Sequence, residues 1–474
     1  MTFMSEPKRF DLFVSVNPDL RSRAGHPFHL DCALRKVAER SGLKFVSFGN
    51  KQQDEEIKGL DFLNPVFSST SWQVFFEGTP EIVSSHVDEF REGLKGLRER
   101  SGEDARIFVY WYMGSAEVFA ELSRHASELT RSVFCLHLFS GFFCEPGSFT
   151  MAHLWHAGVL LERLRETGLQ CEVISDSEKL IRDLELHTGA TCKLVPAFAS
   201  QELSAAERDR PSDRCIRVVY PTDDSSKRGF DLLLEFLQQH AVHYSGSLEF
   251  VVRVFPGNSS GVAQSLASEL DNVEILEGQL TDDEFHQLLC DADVVILPYL
   301  KELFYYRTSS ILYEAMALRK PVVVVEETWL SERVSLMGGG WIAEATVEGL
   351  AATFDVIAEG GRPGLEEKIR RISAVPQVED LFSSILSLPY EGEEEFTFEP
   401  KFSAEDVENC YQSEKGKTRL QSDYEAAGRE IAKLERKIRW LESELDRVVN
   451  SKTWRYTESL RGMVESVKEW RMKK

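Results

Sequence analysis

The sequence predicts an α/β protein: two Rossmann-like domains, residues 1–196 and 215–389, followed by a C-terminal α-helical coiled coil. Three observations predict it. Short apolar runs bounded by Gly, Pro or polar clusters alternate with segments of helical period in both halves of the chain, the rhythm of βαβ units. A polar, charged stretch, residues 197–214 with the run QELSAAERDRPSDR, separates the halves as a linker. Beyond residue 404 the apolar residues fall into heptads.

The totals agree with this division. A chain of 474 residues is too long for one core, and 42% apolar content with 30 Phe is ample for two. A formal net charge of −23 excludes a general nucleic-acid surface, so no nucleic-acid partner is expected and any anion site must be a local pocket. No apolar run reaches the length of a membrane span, and MTFMSEPKRFDL carries no apolar signal core, which predicts a cytoplasmic protein. The 8 cysteines contain no CxxC pair, so neither a zinc site nor a disulfide framework is expected.

In the first half, Phe10–Val16 reads as a strand. A polar loop with Gly25, His26 and His29 leads into an amphipathic helix ended by Gly42, and Leu43–Phe48 is the next strand. Arg106–Tyr112 and Ser132–Leu138 are further strands. In an open parallel sheet ligands gather beyond the C-terminal strand ends, which places Tyr112, His137 and Ser140 near a cleft. The residue types leave His137 open between a site imidazole and a core histidine bonded to a backbone carbonyl.

The second half starts with strand Ile216–Tyr220, the loop PTDDSSKRG and a helix with Leu233, Leu234 and Leu237 on its apolar side. Its most informative stretch is Asp291–Trp329. Val294–Leu297, stopped by Pro298, has the length of a buried strand, and Val322–Val325 is another. Between them Thr308, Ser309 and Ser310 are N-cap types, and Ile311, Leu312, Ala315 and Met316 follow at helical spacing. The loop therefore lies where a helix N-terminus offers unpaired NH groups to an anion. Glu314, in the first turns, suits sugar or ribose hydroxyls.

The run "ADVVILP", polar loop, "EAMALRKPVVV" resembles the donor-nucleotide segment of GT-B glycosyltransferases, the broad retaining family (family 4-like) with sucrose and glycogen synthases and lipopolysaccharide transferases. The resemblance implies two domains facing across a cleft, an acceptor in the first and a nucleotide sugar in the second. It implies catalytic roles for His137, Arg228 and Glu314. Glu314 matches the second of two family glutamates eight positions apart, the one that contacts the donor ribose. Tyr306 stands where the first would be, and Glu302, four residues after Pro298, is its other candidate. In the loop after the first strand of this half, the family has an arginine and then a lysine before glycine, both neutralising the donor diphosphate. Arg228 before Gly229 matches the lysine, with Lys227 beside it, and Asp223 occupies the arginine position. The donor set so implied is Lys227, Arg228, Glu302, Tyr306, Arg307, Thr308, Ser309, Ser310 and Glu314. Gly25, His26, His29 and Tyr112 are the candidates for acceptor or phosphate contacts. Beyond the nucleotide-diphosphate sugar, itself a substrate, no cofactor and no metal are implied.

Residues 390–403 read as an acidic linker, with five glutamates between Glu391 and Glu399. Within 404–450, the residues Leu420, Tyr424, Ala427, Ile431, Leu434, Ile438, Leu441, Leu445 and Val448 alternate in steps of four and three. Ile at a and Leu at d favour a parallel two-stranded coiled coil, hence a homodimer through 420–448. The tail 451–474 sets seven Lys and Arg against three Glu, with Trp454, Leu460, Met463, Val467 and Trp470 on one helical face. That pattern suits an anionic membrane surface or a partner protein, and SKTWRYTESLR is similar to endings of bacterial surface-polysaccharide glycosyltransferases. The expectation is a glycosyltransferase, at the inner face of the cell membrane, acting on a glycan or lipid-linked acceptor. Two alternatives stay open at this point: an inactive scaffold subunit of the same fold, and a nucleotide-sugar epimerase.

Overall fold

The computed structural model describes residues 10–23, 26–143, 148–195, 215–255 and 260–387. Gly25, the linker 197–214 and everything expected of 390–474, the coiled coil and tail included, lie outside the described residues.

The first sheet has seven strands: β1 (Leu12–Val16), β2 (Lys44–Asn50), β3 (Leu63–Phe67), β4 (Ile107–Gly114), β5 (Ser132–Leu138), β6 (Cys171–Ser175) and β7 (Lys193–Leu194), in the order β3-β2-β1-β4-β5-β6-β7. All pairings are parallel. The central strands are buried on both faces, which is why β4 reads IFVYWYMG with no polar alternation. The second sheet has six: β8 (Ile216–Tyr220), β9 (Leu248–Val254), β10 (Val273–Glu277), β11 (Val294–Leu297), β12 (Val322–Val325) and β13 (Gly340–Ala343), in the order β10-β9-β8-β11-β12-β13 and again all parallel. Apolar clusters cover it on two sides, one around Phe236, Phe250 and Phe354 and one around Leu312, Met316 and Trp329. Both sheets belong to one compact unit.

Two polar residues inside the first sheet explain how its first helix is seated. Ser15 of β1 and Ser47 of β2 are register partners, and both are fully buried. Each donates its hydroxyl to Asp31 of the helix His26–Arg40, at 2.6 and 2.5 Å. Asn17 donates to the Pro27 carbonyl at 3.0 Å, fixing the start of the same helix and so His26 and His29. Burial pushes the Asp31 carboxyl up to about 6, against the bonds from Ser15, Ser47 and Asn17 that pull it down. An acid raised in this way stabilises the fold below its unfolded value of 3.8 and loses that contribution as pH rises through about 6. Asp31→Asn is therefore expected to flatten the pH dependence. Urea midpoints at pH 4 and pH 7 should show wild type losing about 2 kcal/mol over that interval relative to the variant.

The expected boundary at residue 389 needs a correction. Helix Val378–Ser387 follows the second domain in sequence but packs in the core of the first, through Val378, Leu381, Phe382 and Ile385. Phe382 stacks on Phe13 at 5.3 Å, and Glu379 pairs with Arg40 at 2.7 Å. An amphipathic stripe announces a buried face without naming its partner. Among the described residues no helix is long and apolar enough to cross a membrane.

Candidate functional site

The site is built from strand ends. After β8 the chain runs through Thr222 and Asp223 into a 3-10 turn, Ser226–Arg228, closed by Gly229 at φ +74°. After β11 it passes Pro298 and Tyr299. The two loops touch: Leu300 N donates to the Lys227 carbonyl at 3.1 Å, and a Cβ on Gly229 would stand 1.8 Å from the Pro298 oxygen. Only glycine fits there, because both the positive φ and the space demand it.

This contact aims Arg228. Its Nη1 donates to Thr222 Oγ1, its Nε lies 3.4 Å from Asp223 Oδ2, and the guanidinium sits 5.6 Å over the Tyr299 ring. Burial opposes the charge, but Tyr299 and Asp223 outweigh it and raise Arg228 above its ordinary value. Arg253, at the end of β9, braces the same loop by donating to the carbonyls of Pro221 and Gly278, each at 3.3 Å.

Arg307 comes to this place from the loop after β11. Its guanidinium lies 5.5 Å from the ring of Trp72, in helix Ser71–Glu77 of the first domain, and 5.5 Å from that of Phe304. Among the described residues no carboxylate or other acceptor pairs with it. Burial pushes Arg307 down and the like charge of Arg228 pushes it further, with Tyr299, Tyr112 and Asp223 only partly offsetting them. Two guanidiniums thus repel each other in a half-buried cleft, one of them without an anion. The helix Ser310–Ala317 starts just beyond, with Ser309 as N-cap making no side-chain cap bond. Glu314, one turn in, is 8% exposed.

The first domain supplies the facing wall. His137, at the end of β5, is 4% exposed; its Nδ1 lies 3.4 Å from Tyr110 Oη and its Nε2 3.5 Å from Asp176 Oδ1. The Tyr112 ring sits between His137, 5.6 Å away, and His26, 5.8 Å away. Burial pushes His26 down to about 4, with His29 and His137 adding to the shift and Asp176 opposing it, so its ring is neutral at physiological pH.

The structure thus brings together Arg228, Arg307, Thr308 and Tyr112, with Ser309, Ser310 and Glu314 on the adjoining helix and His26 and His137 beyond Tyr112. It separates others. Tyr306 is 1% exposed, packs in the first domain's core and donates to Asp183 at 2.9 Å, so its hydroxyl is engaged by the other domain. His29 faces Asp282 of the second domain at 3.2 Å. Glu302, on the single turn Lys301–Phe304, and Lys227 are exposed. The triple glycine, Gly338–Gly340, is required by close packing: a Cβ would meet the Arg371 carbonyl at 2.6 Å from Gly338 and Ile372 at 2.1 Å from Gly339. Sequence reasoning missed Asp176, Trp72 and Arg253. Asp176 directly follows β6, and the strand-end rule that picked out His137 points to it equally.

Comparison with known proteins adds a family model described as glycosyl transferases group 1, which matches residues 219–359, from β8 past β13. This stretch is a glycosyl transferases group 1 domain. It contains Arg228, Arg307 and Glu314. No curated protein matches the chain. Among solved structures, the N-terminal domain of Candida albicans trehalose-6-phosphate phosphatase is similar over 81% of this chain and 98% of that one, at 13% identity and a TM-score of 0.57. The sucrose-phosphate synthase of Thermosynechococcus elongatus is similar over 79% and 98%, at 13% identity and 0.53. A structure described as trehalose-6-phosphate from E. coli bound with UDP-2-fluoro glucose is similar over 85% and 98%, at 13% identity and 0.50. At such identities the likeness is one of fold, the two parallel-sheet domains of the GT-B arrangement, with the group 1 domain as the second.

Proposed function

We propose that this protein is a glycosyltransferase that takes a sugar from a nucleoside-diphosphate donor held by the group 1 domain and passes it to an acceptor on the first domain. The observation that carries the reading is Arg307: a half-buried guanidinium with no anionic partner among the described residues, repelled by Arg228. A ligand with two negative charges relieves that repulsion, and a diphosphate is such a ligand. Loss of the sugar builds charge on the departing diphosphate. Preorganised guanidiniums and the NH groups of helix Ser310–Ala317 stabilise that charge without reorganising, so the reading needs no metal. Glu314 takes donor hydroxyls, and His137, with Tyr112, faces the reacting sugar or acceptor. The glycosyl transferases group 1 match and the UDP-2-fluoro glucose bound in the E. coli structure support a nucleotide-sugar donor. Retention at the anomeric carbon, a glycan or lipid-linked acceptor of the bacterial surface-polysaccharide type, dimerisation through 420–448 and membrane contact through 451–474 at the cytoplasmic face complete the reading, on the sequence resemblance and patterns alone.

A thermal-shift screen against UDP, GDP, CDP, ADP and dTDP sugars tests it. One nucleotide is expected to stabilise the full chain by about 2.7 kcal/mol at 100 times its Kd. One observation favours a second reading, a scaffold subunit of the same fold: Asp223 already neutralises Arg228. A chain that no nucleotide stabilises would sink the transferase reading in favour of that one.

A further inference from the structure

The carboxylate of Asp176 lies at the meeting point of both domains, and the donor site as described does not use it. It follows the last residue of β6, and its side chain is only 14% exposed. Thr308 of the second domain donates to its Oδ2 at 2.8 Å; Ser140 donates to Oδ1 at 3.4 Å, and His137 Nε2 stands 3.5 Å from the same oxygen. Burial pushes the carboxyl up, but His137 and Thr308 outweigh it and hold it below its ordinary value, so it is an anion at neutral pH.

The carboxylate itself fixes the sense of this chain. Asp176, an anion, can only accept, so the ring nitrogen that faces it, Nε2, carries the proton. That leaves Nδ1 to accept from Tyr110 Oη, 3.4 Å away, and the sequence of contacts reads Tyr110 O–H to Nδ1, Nε2–H to Asp176, and Thr308 O–H to Asp176. At 3.5 Å the Nε2 contact is electrostatic, an open distance of the sort that shortens when a site fills. Thr308 immediately precedes Ser309, so the same carboxylate holds the donor loop.

We propose that Asp176 is a positioning residue: it fixes the tautomer and plane of His137 and, through Thr308, sets that ring relative to the donor loop of the opposite domain. A solely structural carboxylate would serve as well if replaced by its neutral amide, which still accepts from Thr308. A positioning carboxylate would not, because the amide no longer selects the Nε2–H ring.

The proposal rests on the glycosyltransferase reading only for its kinetic arm, so two readouts are needed. The first uses full-length protein labelled with 15N at histidine, with His137→Gln to assign the resonance. Wild type is expected to carry its proton on Nε2, and Asp176→Asn is expected to shift the ring toward the Nδ1–H form. The second is kinetic: Asp176→Asn is expected to keep the wild-type Tm and nucleotide Kd within threefold while turnover falls on the order of 100-fold, the scale of a misplaced acid–base group. Turnover within threefold of wild type in the folded variant, or an unchanged tautomer, overturns the proposal. If Asp176→Asn does not fold, the wild-type ring decides alone, since an Nε2 without a proton is incompatible with the assignment. A wild type that binds no nucleotide sinks the transferase reading, and the tautomer still decides the role of Asp176.

Discussion

Arg228→Ala is expected to raise the Kd for the nucleoside diphosphate by about 100-fold or more, and Arg307→Ala by about 10- to 100-fold, in titration calorimetry on the full chain. A hydrogen bond to a charged group contributes about 1.5–3 kcal/mol, and 1.4 kcal/mol is about tenfold in affinity. The two losses differ because the guanidiniums have different neighbours. Removing Arg307 takes away a cation that no described residue pairs with. Removing Arg228 also uncovers Asp223, 3.4 Å from its Nε, and turns a carboxylate toward the incoming phosphate. Arg228→Lys keeps the charge but loses the paired donors to Thr222 and the ligand, so an intermediate loss is expected. Equal, small effects of all three variants would mean that the diphosphate does not sit between these side chains.

Gly229→Ala is expected to cost at least about 3 kcal/mol of stability, measured as a fall in the urea midpoint. The added methyl would meet the Pro298 carbonyl oxygen at 1.8 Å with φ at +74°, a backbone obstacle that cannot swing away as a side-chain tip can. Gly246→Ala is the control. It shares a positive φ, +90°, but nothing lies within 4 Å of its added carbon, so its expected cost is only about 1 kcal/mol, the conformational part alone. A Gly229 variant as stable as the Gly246 variant would show that the two loops do not need to touch.

The parts of the fold that were legible in the sequence were those whose physics is local. Val294–Leu297 and Val322–Val325 are strands because a doubly covered parallel strand must be continuously apolar, and the helix between them carries its own cap residue types. The positions of Tyr112 and His137 near the ends of β4 and β5 were legible for the same reason, since each strand is a continuous apolar run. What stayed hidden depends on pairs far apart in the chain. Arg307 meets Trp72, and Thr308 meets Asp176, across the two domains. Tyr306 looked like a donor contact by its position, yet Asp183, in the other domain, claims its hydroxyl. Asp176 was obscured by its surroundings: in ISDSEK, the acid reads as one more polar residue of a helix cap, a role the structure gives to Ser177. The heptads of 420–448 are as clear as any pattern in the chain but fall outside the described residues.

The return of helix Val378–Ser387 to the first domain has a consequence for biosynthesis. Phe13 is stacked by Phe45 and Phe108 from its own side, but a third ring stacked on it, Phe382, is translated only after the whole second sheet. At ~5–20 residues per second, a ribosome needs on the order of 10–40 s to travel from Val195 to Val378. For that interval the nascent first domain carries an uncovered aromatic patch, a surface that holdase chaperones recognise and that self-association exploits. The second domain is, in topological terms, an insertion into the first, so no single proteolytic cut between them yields two complete halves.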